Sequence, residues 1–216
     1  MTPAFNQDNF QSLCNIVAAN DAHLKTVIDA HGYPPLWSRT PTFATLIHII
    51  LEQQVSLASA KAAFLKLQER IGHITPDKVL LLTDEELKAC YFSRQKITYA
   101  RHLAQAVLAG TIHLEDLEQQ PDDEIRVALK QIKGIGDWTV DVFLMMALHR
   151  TDVFAPGDIA LLKSIKEVKA LPAETPREVL LQIAAQWAPY RTVAAFILWH
   201  AYLQKRKPKG AEGVVS

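Results

Sequence analysis

Hydrophobic residues along most of this chain follow the period of an α-helix. One predicted helix face is marked by five apolar residues at i, i+3, i+4, i+7 and i+8 spacing, namely Phe43, Leu46, Ile47, Ile50 and Leu51. No stretch alternates apolar and polar residues as a strand does, and no repeat of about 20 to 50 residues is visible. The pattern therefore predicts an all-α fold.

Capping residues mark the starts of several helices. A threonine N-cap followed by proline at the first helical position fits Thr40-Pro41, Thr75-Pro76 and Thr175-Pro176, and Thr83 to Glu86 has the spacing of a capping box. We therefore predict twelve helices, at about residues 7–19, 21–31, 41–53, 56–71, 76–82, 84–90, 94–109, 122–132, 137–149, 158–168, 176–187 and 190–205.

Two glycines separate the predicted helices 122–132 and 137–149, in the turn Lys133-Gly134-Ile135-Gly136. Glycine permits a positive φ and a close approach of the backbone to a partner. Because the next helix starts directly at this turn, its free N–H groups and the positive end of its dipole favour an anion such as a DNA phosphate. An ordinary tight turn between helices explains the same two glycines, and the turn alone leaves both interpretations open.

Asp158 follows Pro156 and Gly157 and precedes an apolar run, which is typical of a helix N-cap. The amides and dipole of a helix N-terminus also stabilise a carboxylate, and a fixed carboxylate stabilises a developing cation. Capping and catalysis are therefore compatible at this position.

Four stretches, in their order along the chain, resemble the helix-hairpin-helix DNA glycosylase superfamily, and within it most closely the DNA-3-methyladenine glycosylase II family. The resemblance covers roughly residues 40 to 204. The matching stretches are LIHIILEQQVSLASAKAAF from Leu46, GIGDWTVDVFLMMAL from Gly134, DVFAPGDIAL from Asp152 and QWAPYRTVAAFILWHAYL from Gln186.

The resemblance implies a two-lobed helical fold with the active site in the cleft between the lobes. We expect a central lobe at about residues 45–130 and a second lobe built from residues 1–44 and 131–205. The second lobe would carry the helix-hairpin-helix at about residues 122–149, and residues 206–216 would form a tail.

The implied activity is that of a monofunctional DNA glycosylase that flips alkylated bases, of the 3-methyladenine type, out of double-stranded DNA and hydrolyses the N-glycosidic bond. Asp158 would be the catalytic residue, and Gly157 stands where the aligned family member has a second acid. Bifunctional relatives place a nucleophilic lysine where this chain has Trp138, so lyase activity is not expected.

The resemblance also implies the DNA contacts. Gly134 and Gly136 would hold the phosphate backbone through main-chain N–H groups, with help from the Thr139 hydroxyl and the Lys133 side chain. Gln54 falls at the position whose side chain fills the gap left by the flipped nucleotide, where the aligned family member has an apolar residue.

The base pocket implied by the resemblance is aromatic. Trp138 and Trp199 would border it and attract a positively charged alkylated purine through their π faces, and Gln53 would also contact the substrate. Core packing explains tryptophans equally well. No cofactor is expected, although a structural monovalent cation at the hairpin would bind the main-chain carbonyls of Lys130, Ile132 and Gly134.

Composition limits these interpretations. The 216 residues, 49% of them hydrophobic, suffice for a sizeable core, and the two cysteines exclude a four-thiolate metal or iron-sulfur site. The apolar runs are far shorter than the roughly 20 residues of a membrane span, and no basic and apolar leader begins the chain, so we expect a cytoplasmic protein without membrane contact. We expect it to act as a monomer.

The formal net charge of zero counts against nucleic-acid binding, because such domains usually carry a surplus of basic residues. Two alternatives therefore stay open. One is a non-catalytic helix-hairpin-helix DNA-binding protein, which needs the glycine turn but no catalytic Asp158. The other is a glycosylase for mismatched or oxidised bases, although such relatives often carry a four-cysteine cluster that this sequence lacks.

Overall fold

A computed structural model describes residues 3–206, so the predicted tail lies, apart from Arg206, outside the described residues. The described part contains twelve α-helices and one 3₁₀ helix, Leu114–Gln119. The α-helices are α1 Phe10–Asn20, α2 Ala22–His31, α3 Phe43–Glu52, α4 Leu57–Ile71, α5 Pro76–Leu81, α6 Asp84–Ala89, α7 Arg94–Leu108, α8 Asp122–Lys130, α9 Asp137–Met146, α10 Ile159–Val168, α11 Arg177–Ala185 and α12 Arg191–Lys205.

The all-α class is confirmed, and each predicted helix exists within a few residues of its predicted bounds. The only backbone pairing of strand type in the described part is an isolated bridge between Ala4 and Arg150. The capping box is confirmed, since Thr83 and Glu86 each accept a hydrogen bond from the other's backbone N–H. No described helix is long and apolar enough to cross a bilayer.

Two of the three predicted threonine caps are wrong. α3 begins two residues later than expected, because Thr42 rather than Thr40 accepts the capping hydrogen bond, from the Thr45 N–H. α11 has Pro176 itself as its N-cap. Thr75 is the N-cap of α5 and is followed by a proline, as predicted.

The chain forms two compact units. The first unit comprises residues 38–148, and its core lies around α3, which packs on α4, α7 and α9. The apolar face predicted for α3 is buried as expected.

The second unit comprises, among the described residues, 3–37 and 149–206. Its centre is α12, whose residues 192–198 are all buried and which packs on α1, α2 and α10.

These units divide the chain at different points from the predicted lobes. The hairpin α8–α9 was expected to belong with residues 1–44 and 131–205, but it lies in the first unit. The physical reason is the apolar character of α9, which is buried along most of its length and packs on α3 and α8. The boundary therefore falls after α9, at Leu148.

Candidate functional site

The turn between α8 and α9 holds a glycine that the fold itself requires. Gly134 has a φ of +97°, in the left-handed region that side chains disfavour. A Cβ placed on Gly134 would lie 2.0 Å from Cγ of the Tyr99 ring, which packs directly against the turn from α7. No other residue fits here without displacing Tyr99.

Gly136 is different, because nothing inside the protein requires a glycine there. It is the N-cap of α9, it is exposed, and its φ of −106° and ψ of −178° suit any residue. A Cβ on Gly136 would meet no atom within 4 Å. No side chain caps α9, and the uncapped N-terminus of a helix favours an external anion.

Ion pairs tie the two hairpin helices together. Lys130 of α8 lies 2.5 Å from Asp137 of α9, and the hydrogen bond from Lys130 lowers the pKa of the Asp137 carboxyl. Arg126 lies 2.7 Å from the buried Asp141, whose pKa is raised by burial although Arg126 offsets part of that rise. Lys133, in the turn itself, is exposed, as its predicted role requires.

Gln53, the C-cap of α3, reaches across to the hairpin. Its Nε2 donates hydrogen bonds to the main-chain oxygen of Gly134 and to Oγ1 of Thr139, both at 2.9 Å. Thr139 is only 2% exposed. The Thr139 hydroxyl is thus buried and accepts a hydrogen bond from Gln53, and both hydrogens of the Gln53 amide are used within the hairpin. The contacts of Thr139 with DNA and of Gln53 with the substrate stay predictions.

The next residue, Gln54, projects from the end of α3 as predicted. It is exposed and has a φ of +58°, which is unfavourable for a residue with a Cβ. Two apolar neighbours are unusually exposed, Val55 at 46% and Leu57 at 61%. Beside them opens a cavity of about 300 Å³ lined by Leu51, Val55, Ser59, Ala62, Ala63, Tyr91 and Lys96.

Side chains from outside α3 anchor its C-terminus through hydrogen bonds. Glu52 is buried and accepts two hydrogen bonds from the Arg39 guanidinium, at 2.6 and 3.0 Å. Lys96 of α7 donates to the Leu51 carbonyl, and burial lowers the pKa of the Lys96 amine. Three hydrogen bonds therefore anchor the last turn of α3, directly before Gln54.

In the second unit, Asp158 is the N-cap of α10, as predicted. Its Oδ1 accepts a hydrogen bond from the Leu161 N–H at 2.9 Å. The same oxygen accepts from the indole Nε1–H of Trp199 at 3.4 Å. A helix N-terminus and an indole thus fix the orientation of this partly buried carboxylate.

Trp199 belongs to an aromatic cluster that sequence reasoning only half identified. Its ring lies 5.6 Å from Phe196 and 6.4 Å from Trp37, centroid to centroid, with Trp37 nearly perpendicular to it. Trp37 lies far away in sequence, in a proline-rich connection, and no local pattern pointed to it. Trp138, the other predicted pocket residue, lies in the first turn of α9 in the first unit and is partly exposed.

α12 also holds the segment that leads to Asp158. Arg191, its first residue, donates to both carboxylate oxygens of Asp152, at 2.7 and 3.0 Å. The fully buried Thr192 hydroxyl accepts from the Val153 N–H and donates to the Val153 carbonyl, each at 3.0 Å. One helix therefore carries Trp199 and positions the loop before Asp158.

The predicted cation ligands are main-chain oxygens. The Ile132 carbonyl accepts from the Ile135 N–H at 3.0 Å, and the Gly134 carbonyl accepts from Gln53. A carbonyl oxygen has a second lone pair, so oxygen donors for a hard cation are still present there. Among residues 3–206, no cluster of three or more His, Cys, Asp and Glu side chains could hold a metal ion.

Comparison with known proteins adds independent information. Residues 47–189, well over half of the chain, match the family model described as HhH-GPD superfamily base excision DNA repair protein. DNA-3-methyladenine glycosylase 1 of Schizosaccharomyces pombe is 31% identical over 161 residues, covering 73% of this chain and 71% of that protein. DNA-3-methyladenine glycosylase 2 of Escherichia coli is 27% identical over 168 residues, covering 71% of this chain and 55% of that protein.

Among solved structures, the S. pombe 3-methyladenine DNA glycosylase in complex with abasic DNA superposes with a TM-score of 0.80 at 29% identity. The match covers 87% of this chain and 95% of that one. The chain thus spans most of this structure but only about half of the E. coli protein.

Proposed function

The chain belongs to the HhH-GPD superfamily of base excision DNA repair proteins, and we propose that it is a monofunctional DNA glycosylase that releases alkylated bases, of the 3-methyladenine type, from double-stranded DNA. The predicted family is confirmed by the family model and by relatives named DNA-3-methyladenine glycosylase, one of them of type 2. Its cytoplasmic location and monomeric state stay predictions.

The observation that carries the proposal is the fixed carboxylate of Asp158. Cleavage of an N-glycosidic bond develops positive charge on the sugar, and a pre-oriented anion beside it lowers the barrier. The Leu161 N–H and the Trp199 indole hold one oxygen of this carboxylate, so little reorganisation is needed during the reaction. In this proposal a water molecule attacks the anomeric carbon of the sugar as the N-glycosidic bond breaks. The cationic base leaves as a neutral molecule with the bonding electrons, and the attacking water loses its proton to solvent.

The aromatic cluster beside Asp158 supports an alkylated purine as the substrate. Trp37 and Trp199 place indole rings within a few ångströms of one another next to the carboxylate. An electron-rich ring face attracts a cationic base by about 0.5 to 2 kcal/mol. Selectivity would therefore favour bases that already carry a positive charge and leave easily.

The open N-terminus of α9 supports the DNA contact. Gly136 would let a phosphate approach the N-terminus of α9 closely, and the exposed Lys133 would add a sequence-independent attraction. Extrusion of the base would be assisted by Gln54, which fills the vacated space. A monovalent cation held by the carbonyls of Lys130, Ile132 and Gly134 would add positive charge near the same phosphate.

The absence of a lysine at residue 138 supports hydrolysis without strand cleavage. Trp138 has no amine that could form a Schiff base with the sugar. The abasic product would therefore keep its phosphodiester backbone intact.

The test is direct. Purified protein is incubated with duplexes that each contain one methylated, deaminated, mismatched or oxidised base, and the released base is identified by mass. We expect release of 3-methyladenine and related alkylated purines, with no strand cleavage and no borohydride-trapped adduct. Binding to DNA without release of any base would overturn the proposal in favour of a non-catalytic binding protein.

A further inference from the structure

We propose that Gln53 is a positioning residue that couples the phosphate-binding turn to the wedge residue Gln54, so that backbone binding and base extrusion act together. The inference rests on the proposed function for its substrate. Its structural basis is the pair of hydrogen bonds from Gln53 to Gly134 and Thr139, which join residues more than 80 positions apart. Both partners lie in the first unit.

The orientation of the Gln53 amide is dictated by its partners. A main-chain carbonyl only accepts hydrogen bonds, so the group facing Gly134 must be the amide nitrogen and not the amide oxygen. That nitrogen has two hydrogens, and the two acceptors at 2.9 Å use both of them. No other orientation of the side chain satisfies both contacts.

The two acceptors lie on either side of the open helix start. Gly134 precedes the N-cap Gly136 by two residues, and Thr139 follows it by three. The amide therefore fixes the turn and the first turn of α9 relative to each other. Tyr99 packs on the same glycine from α7, so the turn is held from two directions.

The other end of the coupling is the wedge. Gln53 and Gln54 are consecutive, and the backbone there is constrained because Gln54 adopts a positive φ directly after the α3 C-cap. Lys96 donates to the Leu51 carbonyl and anchors the preceding turn of α3. Since no flexible segment intervenes, the position of Gln54 is set by the same amide that sets the phosphate site.

This arrangement predicts a specific defect. Without the Gln53 hydrogen bonds, the hairpin still forms and still offers amides to a phosphate, but the wedge is no longer held in register with it. Extrusion from a stable base pair requires the wedge, whereas a lesion in a mismatch is extruded at little cost. The loss in the rate of base release should therefore grow with the stability of the base pair that contains the lesion.

The experiment compares Gln53→Met, which keeps the length of the side chain and removes both hydrogen bonds, with Gln68→Met, an exposed glutamine on α4, as the matched control. Single-turnover release of 3-methyladenine is measured opposite thymine and opposite a mismatched cytosine. Hydrogen exchange is followed at the Ile135 and Val140 amides, which bond to Ile132 and Gly136.

For Gln53→Met we expect release from the matched pair to slow by about tenfold or more, release from the mismatch to change less than about twofold, and both amides to exchange faster. Gln68→Met should behave as wild type. Equal losses on both substrates, or unchanged amide exchange, would overturn the coupling.

A direct contact between Gln53 and the base would slow release from both substrates equally and leave exchange of the free protein unchanged. If the wild-type protein releases no base at all, the proposed glycosylase activity fails. In that case amide exchange, with the affinity for duplex DNA, still decides whether Gln53 holds the hairpin.

Discussion

The helices α9 and α10 both begin at a short glycine-containing turn, yet their N-termini are used in opposite ways. α9 has Gly136 as its N-cap and has no side-chain cap. α10 starts at Asp158, whose own carboxylate accepts from the Leu161 N–H. In the proposed function, the N-terminus of α9 therefore receives an external anion, whereas the N-terminus of α10 fixes the orientation of an internal one.

The largest effect is expected when the negative charge of Asp158 is removed. Asp158→Asn keeps the size and capping ability of the side chain, so α10 should remain stable while the charge is lost. We expect the single-turnover rate of base release to fall by about 100- to 1,000-fold, with affinity for an abasic-site analogue nearly unchanged. Near wild-type release by a folded variant would leave Asp158 as a helix cap alone.

The next largest effect concerns the glycine that the fold demands. Gly134→Ala would place a methyl group on the Tyr99 ring and impose a side chain at a positive φ. We expect a loss of about 1 to 3 kcal/mol in the free energy of unfolding, measured by denaturant titration. Combining it with Tyr99→Ala should recover part of that loss, and no recovery would contradict a steric cause.

Substitution of Gly136 should affect DNA binding rather than stability, because the proposed role of Gly136 is to contact a phosphate and the fold does not require a glycine there. Gly136→Asp gives α9 a capping carboxylate like that of α10, so stability should stay equal or rise by a few tenths of a kcal/mol. The added charge should repel a phosphate and weaken DNA binding at least about tenfold. Gly136→Ser separates the effect of charge from that of bulk, and unchanged affinity for both variants would place the phosphate elsewhere.

Substitutions of Gln54 test whether its unfavourable positive φ is retained for function. Gln54→Gly should raise the free energy of unfolding by on the order of 1 kcal/mol, because glycine accepts the positive φ. It should nevertheless slow release from stable pairs, as should Gln54→Ala, with little effect on single-stranded substrates. A Gln54→Gly variant that gains stability and keeps full activity on stable pairs would remove Gln54 from the wedge role.

The smallest effect expected is electrostatic. Lys133→Ala should lower the slope of log affinity against log salt concentration by roughly one unit if Lys133 contacts a phosphate. Lys130→Ala is the informative partner variant, because Lys130 is paired with Asp137 and its removal also leaves that carboxylate unneutralised. Filter binding at several salt concentrations measures both, and two unchanged slopes would place these lysines away from DNA.

The sequence alone was sufficient for most of the features that depend on neighbouring residues, although it misplaced the N-caps of α3 and α11 by one or two residues. The helices, the Thr83 capping box, the Asp158 cap and the glycine turn are all encoded within a few positions of where they occur. The 3₁₀ helix Leu114–Gln119 has no strong capping or periodic signal and was not predicted.

Features that depend on distant residues could not be predicted in this way. The bonds from Gln53 to the hairpin and the contact of Trp37 with Trp199 arise only after the helices pack. Burial of Thr139 has the same origin, because it follows from the packing of α9 on α3. Local patterns indicated the glycine turn and the Asp158 cap, and the family resemblance named the other predicted site residues. The packing of the helices determined which of them face inward.

The indole pair beside Asp158 gives the protein an intrinsic optical signal. Two of its four tryptophans, Trp37 and Trp199, lie 6.4 Å apart, and Trp199 touches the carboxylate. A base that stacks on Trp199 would quench its fluorescence, whereas DNA bound with an abasic site would leave that emission intact. Occupancy by the extruded base could then be followed in real time without a label, and Trp37→Phe and Trp199→Phe would assign the emission to its source.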